Sequence, residues 1–437
     1  MPECALSQSP DLSVTRASCN LIAYNFMKNT KPNQNQPPPA GEPVKTAGEG
    51  RIVGLDPHPE TFTSAILQVT HPKEARIIVS HDTVPIDSLL EWAKQHLVAD
   101  QDLVVCEAGS NSFEVIKQLE EIGLCGVCLE SQRVGQVRES TFNDDRSSAE
   151  KIARIYLSGL AKVVWVPDEG TRQYRELLSA HQEAVRQAPR SKNSLRSSLT
   201  EHAITLPKGT RLTKEATETW ILESYNWQPI QRTILRRQCI AVREAEAHRI
   251  ALYRLMCEMI AEDERMLGLM KLLGINVINA FALVATVGDV NRFASPKKLS
   301  AFLGLVQRRD RSGKSIDRKK RSPAGRKDVR ALLVQAAQAV MNSKRKGDLR
   351  AWGWQVFARR GNRCVAIIAL ARKLAVQVFY QLKGLTPLRV EQEAPLRRKL
   401  QVFATHLDKA KIQEMGFRTK TDFIQNLIEK LTLSPNT

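Results

Sequence analysis

The chain has 437 residues, 42% hydrophobic and 25% charged, an ordinary globular balance that excludes wholesale disorder and a fibrous repeat. No apolar run nears the ~20 residues of a membrane span. Residues 1–25 show no basic stretch followed by an apolar block, so a cytoplasmic protein is expected. Lysine and arginine total 65 against 46 aspartates and glutamates, a net charge of +19. Such an excess points to a polyanionic partner, most often nucleic acid.

Residues 1–50 read as a leader, since the polar, proline-rich Asn33-Gln-Asn-Gln-Pro-Pro-Pro39 cannot build a core. Arg51-Ile-Val-Gly-Leu-Asp56 is a short apolar run ending in an acid, and 61–70 and 75–80 read as two further strands. A helix is predicted over 87–96. Asp102-Leu-Val-Val-Cys-Glu107 is a second buried strand ending in an acid. An amphipathic helix over 113–122, a strand over 124–129, a helix from Asp145 to Leu157 and a last strand near 162–166 follow. This order predicts an α/β domain with a mixed sheet over 51–167. Cys125 and Cys128 form the one Cys-x-x-Cys, with no second pair or histidine at zinc spacing, and read as core residues.

Residues 168–270 read as almost all helix, broken at Pro229. Ile234, Ala241, Ala245, His248, Leu252, Leu255, Met259 and Met266 recur at gaps of three, four or seven. That heptad-like seam can pair within the chain or dimerise it, with His248 packed inside it. An all-α basic domain is expected over 271–383, clearest at 331–341 and 365–382. A helical tail over 384–437 has no assigned role.

The charge is partitioned. Residues 51–160 hold 10 basic and 17 acidic residues, a net of −7, whereas 308–363 hold 18 and 4, a net of +14. Acids beside a polyanion-binding region point to a bound cation. Asp56 and Glu107 end buried strands, where ligand groups of open α/β sheets gather. Side by side, they need a shared proton or a divalent metal. Asp145, after Asp144, opens a helix and reads equally as a cap or as a third ligand.

Val-Gly-Leu-Asp56-Pro-His, Cys-Glu107-Ala-Gly-Ser and Asp145-Arg-Ser-Ser-Ala-Glu-Lys-Ile-Ala-Arg resemble the RuvC-like DEDD domain of an insertion-sequence transposase family, which includes the Piv/MooV DNA invertases and the bridge-RNA-guided recombinases. The resemblance implies Mg2+ or Mn2+ at Asp56, Glu107 and Asp145. The fourth position, aspartate in the family, is Ser148 here, a neutral and weaker ligand for a hard cation. Glu150, five residues from Asp145, lies on another helical face.

A second stretch resembles the same family. Leu273-Gly-Ile-Asn276 is similar to its helix–hairpin–helix-like turn, with Asn276 replacing the second glycine. Phe293-Ala-Ser-Pro-Lys-Lys-Leu-Ser-Ala-Phe-Leu-Gly-Leu305 leads into Arg308-Arg-Asp-Arg-Ser312-Gly-Lys-Ser315, similar to its serine motif. The resemblance implies that Ser312 is a nucleophile, with Ser315 the fallback. Glycine after the serine permits close approach of a phosphate, and Arg308, Arg309, Arg311 and Lys314 would stabilise its charge. Residues 323–333 and 360–373 resemble the family's flanking helices. Arg326, Arg330, Arg359, Arg360 and Arg363 are expected phosphate contacts. Trp352, Trp354 and Phe357 read as core or as base-stacking rings.

The resemblance covers roughly 51–380. It implies a DNA transposase and site-specific recombinase, a structured guide RNA, a homo-oligomer, and a DNA-associated prokaryotic location with no membrane. Two rivals stay open. One is a degenerate relative that binds nucleic acid without cutting. The other is a RuvC-like nuclease in which water replaces Ser312.

Overall fold

The computed structural model describes residues 50–71, 74–99, 101–131, 134–135, 145–310, 318–321, 325–343, 347–385 and 393–432; the side chains of 71, 74, 145–147, 307–310, 318–321 and 432 lie outside that description. The leader read over 1–50 lies outside it as well, residue 50 excepted. The chain divides into two compact units, 1–167 and 168–437.

The first unit contains β1 (Arg51–Pro57), β2 (Thr61–His71), β3 (Glu74–Pro85), α1 (Leu89–His96), β4 (Asp102–Glu107), α2 (Ser112–Glu121), β5 (Cys125–Leu129), α3 (Asp145–Leu157) and β6 (Val163–Val164). They form one six-stranded sheet in the order β3-β2-β1-β4-β5-β6. β1, β4 and β5 run parallel, while β2, β3 and β6 pair antiparallel to their neighbours. This is the mixed α/β sheet the sequence predicts.

The central strands are apolar on both sides because helices cover both faces. Ile52, Leu103, Val105 and Val127 pack against Ala149, Ile152 and Ala153 of α3. Val53, Leu55, Val104, Cys106 and Cys128 pack against Leu89, Trp92, Ile116 and Leu119 of α1 and α2. Cys125 and Cys128 are both buried, as expected of core thiols.

The second unit contains α4 (Glu169–Glu201), α5 (Glu215–Glu223), α6 (Pro229–Glu262), α7 (Glu264–Leu269), α8 (Val277–Val287), α9 (Pro296–Phe302), β7 (Gln307–Asp310), β8 (Arg318–Arg321), α10 (Lys327–Asn342), α11 (Asp348–Arg360), α12 (Arg363–Leu382), α13 (Glu393–Thr405), α14 (Lys409–Glu414) and α15 (Lys420–Thr432). α4 and α6 form an antiparallel hairpin. Its rungs are Tyr174 Oη to Asp263 (3.3 Å), Lys192 to Glu246 (2.8 Å) and Gln238 to Ser198 (2.9 Å). One end of the hairpin shares a core with α8, α10 and α12; Leu396, Leu400, Phe403 and Phe423 of the tail helices enter that same core. The other end closes over its own small core.

Two expectations are corrected here. The buried stripe of α6 is Leu235, Cys239, Val242, Met256 and Ile260, beside the seam expected from the sequence. Ile234 is 50% exposed and Leu255 42%, and His248 is exposed rather than packed. Both stripes carry heptad spacing, and only the position of α4 decides which one is buried. The second correction concerns α12, which is long and apolar enough for a membrane span, with 50% of its apolar window buried. Its buried face fills the core of this unit.

Candidate functional site

Parallel pairing of Leu55 with Cys106 makes Asp56 and Glu107 the next positions in register on neighbouring strands. Adjacent strands lie roughly 5 Å apart, and side chains alternate between faces. Asp56 follows Gly54 and Ile52, and Glu107 follows Val105 and Leu103, so both carboxylates take the face that α3 covers. Both are half-buried. Their field is felt on the opposite side of the sheet. The Cys106 thiol is pushed well above its ordinary range, first by its hydrogen bond with Cys128, then by burial, and further by electrostatic interaction with Cys128, Asp56 and Glu107.

α3 is seated on β1 at Gly54, where an added β-carbon would lie 1.8 Å from the Ala149 carbonyl oxygen. Further along, Arg154 Nη1 donates to the Ala75 carbonyl at 3.2 Å. Ala75 pairs with Val69, whose N–H bonds to the Gly50 carbonyl, so it stands level with the amino end of β1. The helix therefore runs against β1, with its first turn toward the carboxyl edge. Asp145 begins one turn, about 6 Å, before Ala149, and Asp56 stands about 6.6 Å beyond Gly54. The backbone of Asp145 is thus brought to the level of the two strand-end acids.

Asp145's side chain and all of Asp144 lie outside the described residues. Among the described residues, no three His, Cys, Asp or Glu side chains group as metal ligands. Ser148 is half-buried in the first turn of α3. Glu150 is engaged elsewhere, accepting from Arg154 Nε at 2.6 Å. Two in-register carboxylates and a hydroxyl on the facing helix are hard oxygen donors, which suit Mg2+ or Mn2+.

Two residues at this edge escape sequence reasoning. Gly54 sets the depth of α3, but a lone glycine in a strand pattern signals close approach only in general terms. Asn111 Nδ2 donates to the His58 carbonyl at 2.8 Å, which staples the loop after Glu107 to the loop after Asp56. Its place before α2 reads instead as a helix cap, a bond it does not make.

In the second unit, β7 and β8 form an antiparallel ribbon with Gln307 opposite Arg321 and Asp310 opposite Arg318. Ser312, Ser315, Arg311 and Lys314 fall in 311–317, outside the described residues, as do the side chains of Arg308 and Arg309. At the ribbon's base, Gly325 is left-handed (φ +93°), and a β-carbon there would meet the Gly304 nitrogen at 2.6 Å.

The expected phosphate contacts separate. Arg360 and Arg363 are exposed, and Arg363 donates to Asn342 Oδ1. Arg359 is exposed and its Nε donates to the Gln355 carbonyl at 3.4 Å. Arg326 pairs with Asp328 at 2.8 Å. Arg330 is 7% exposed and donates to the Gly304 carbonyl at 3.4 Å; burial makes it a brace for the Gly304 turn rather than a phosphate contact. The Asn276 turn is occupied by the chain itself, because Asn276 Oδ1 accepts from the Asn279 N–H at 2.9 Å.

Other cations close helix ends. Arg175 Nε donates to the Ala285 carbonyl at 2.9 Å and Arg292 Nε to Val287 at 3.0 Å, and burial pushes Arg292 down to about 10. Of the three aromatic candidates, Trp352 and Phe357 pack against the core. Trp354 is 36% exposed, with the Arg350 and Arg363 guanidiniums each 5.9 Å from its ring centre.

A sequence model described as the Transposase IS116/IS110/IS902 family matches residues 267–351, from α7 to the start of α11. The chain is 26% identical over 238 residues to protein y4qE of Sinorhizobium fredii, which carries a provisional transposase name; the match covers 53% of this chain and 56% of that protein. It is 26% identical over 285 residues to the transposase for insertion sequence element IS1111A of Coxiella burnetii, covering 62% and 75%. It is 28% identical over 200 residues to the transposase for insertion sequence element IS1328 of Yersinia enterocolitica, covering 44% and 57%.

Over these stretches the chain is similar to transposases of insertion sequences. The family's matched segment contains the β7–β8 ribbon, Arg326 and the buried Arg330. The acidic edge of the first unit lies outside it.

Proposed function

We propose that this chain is a metal-dependent DNA transposase and recombinase whose first unit is RuvC-like and whose nucleophile is Ser312. The in-register Asp56–Glu107 pair beneath the first turn of α3 carries the reading. The strand order, with β1 central and β4 and β5 parallel to it, supports the RuvC-like assignment. Asp56, Glu107 and Asp145 would hold the divalent cation, which when bound supplies Lewis-acid neutralisation of phosphate charge. Ser312 Oγ attacks phosphorus, giving up its proton as an Oγ–P bond forms, and the broken P–O bond releases a deoxyribose hydroxyl that takes up a proton. Attack by a hydroxyl of another strand restores the serine. Arg308, Arg309, Arg311 and Lys314 hold the phosphate. A structured guide RNA belongs to this reading, since a net of +14 over 308–363 suits either nucleic acid. So does a homo-oligomer, supported by the exposed Ile234–Leu255 stripe of α6.

Ser148 favours one second reading, a relative that binds nucleic acid without cutting. Incubation with DNA, RNA and Mg2+ separates them. Covalent DNA–protein adducts that vanish in Ser312→Ala are expected. Free nicked ends that survive Ser312→Ala point to a nuclease, and tight binding with no strand breakage points to the non-cutting relative.

A further inference from the structure

We infer that the far end of the α4–α6 hairpin is a docking surface for an unpaired nucleic-acid strand, separate from the basic stretch at 308–363 and independent of any cutting activity. Residues 186–243 hold 11 basic and 4 acidic residues, a net of +7. Part of the excess is spent inside the fold: Arg186 and Arg190 pair with Glu183, Lys192 with Glu246, and Arg243 and Arg236 with Glu218. Lys208, Arg211, Lys214, Arg232 and Arg237 are exposed and have no ion-pair partner among the described residues.

A row of rings stands among these cations. Trp220 and Tyr225 lie 6.0 Å apart, Tyr225 and Trp227 5.7 Å, and Trp227 and His202 5.1 Å. The row joins the turn after α4 to the turn before α6. It is held in place, because Trp227 Nε1 donates to the Ile221 carbonyl at 2.7 Å and Leu195, Leu199, Ile221, Leu222 and Leu235 form a core beneath it. Arg211 is tied to α5 through its carbonyl, which accepts from Thr217 Oγ1 at 3.0 Å. Tyr225 is 39% exposed, and His202 is exposed too. Rings recruited only for packing would be covered.

Exposed rings on a rigid base, rimmed by unpaired cations, match what a single strand offers: base faces free to stack and a phosphate backbone to neutralise. A duplex hides its base faces. A second copy of the chain would meet the same positive charge here, which opposes self-association through this end and leaves the homo-oligomer contact farther along α6, toward Leu255.

The test is fluorescence anisotropy on the full chain, with labelled 20-nucleotide oligo(dT), oligo(U) and a 20-base-pair duplex. Reversing Lys208→Glu, Arg211→Glu and Lys214→Glu together should weaken both single strands by about tenfold or more. It should also lower the log K against log salt slope by about 2, at roughly 0.7 for each phosphate no longer neutralised. Duplex binding should change by less than about threefold. Tyr225→Ala should weaken single strands about fivefold or more, and Tyr225→Phe should restore them, since the ring rather than the hydroxyl stacks. A bromodeoxyuridine 20-mer should photocrosslink at Tyr225 or Trp227. Unchanged affinity and slope with no crosslink in 202–237 overturn the inference. Equal losses for duplex and single strand also overturn it.

Discussion

The Ala149 carbonyl oxygen of α3 occupies the space that a β-carbon on Gly54 would need, at 1.8 Å. A backbone atom at that distance cannot rotate away, so the helix must lift off the sheet if Gly54 gains a side chain. Gly54→Ala should therefore cost the first unit about 3 kcal/mol or more, read from denaturant unfolding. It should also abolish divalent-metal binding, because the same contact sets the height of Asp145 over Asp56. An unfolding midpoint equal to that of the parent chain would show that α3 is not seated this way.

Ser148 sits one position before that contact, three residues after Asp145. Ser148→Asp adds a third charged donor over the Asp56–Glu107 pair. Without metal it should lower the melting temperature through like-charge crowding. With Mg2+ it should recover more than the parent does, because a ligand bound only to the folded state stabilises it in proportion to its affinity. About a tenfold gain in Mg2+ affinity is expected in titration calorimetry. Identical Mg2+-dependent melting shifts in variant and parent would place Ser148 outside the ligand set.

The hairpin carries an acid-sensitive rung. The Glu246 carboxyl is held down from 4.5 to about 2, chiefly by its hydrogen bonds from Arg249 and Lys192. A carboxyl depressed in the folded state contributes stability above its ordinary range, and that contribution is lost as pH falls from about 4.5 toward 2. Glu246→Gln should lower the melting temperature by about 1–3 °C at pH 7, a modest effect for a partly solvated pair. The gap between variant and parent should narrow below about pH 4.5 and close only around pH 2. A gap of constant size across that window would mean that the rung contributes through packing and not through charge.

How much of this was readable from sequence depends on whether the signal is local. Asp56 and Glu107 each close an apolar run, so their strand-end positions were legible. That β1 and β4 are neighbours, with Leu55 beside Cys106, is not a local signal, because the pairing spans about fifty residues. The α6 stripes show the limit of periodicity. Residues 234–255 and 235–256 both satisfy a heptad, and only α4 breaks the tie. Arg330 shows another limit. Its charge, and the Arg326-Lys327 pair one turn before it, read as solvent-facing, yet it is buried against the Gly304 turn.

The tail, 393–432, is the part of the chain whose role its own sequence left unassigned, and packing assigns it one. Leu396, Leu400, Phe403 and Phe423 are each 0% exposed and share the core with Leu370, Leu374 and Phe281. Lys399 Nζ donates to the carbonyls of Met270 at 3.2 Å and Leu272 at 2.9 Å, so the tail also closes the turn that leads into α8. Ending the chain after residue 385 would uncover four large apolar side chains' worth of core, at about 1.5–3 kcal/mol each, a loss comparable to a typical domain's whole margin of stability. Truncation at 385 should yield aggregated or protease-sensitive protein. Lys399→Met keeps the apolar stem and removes only the charged donor, and should cost about 1–3 kcal/mol in denaturant unfolding. If the truncated chain instead melts cooperatively at the parent temperature, the tail packs on the unit without supporting it.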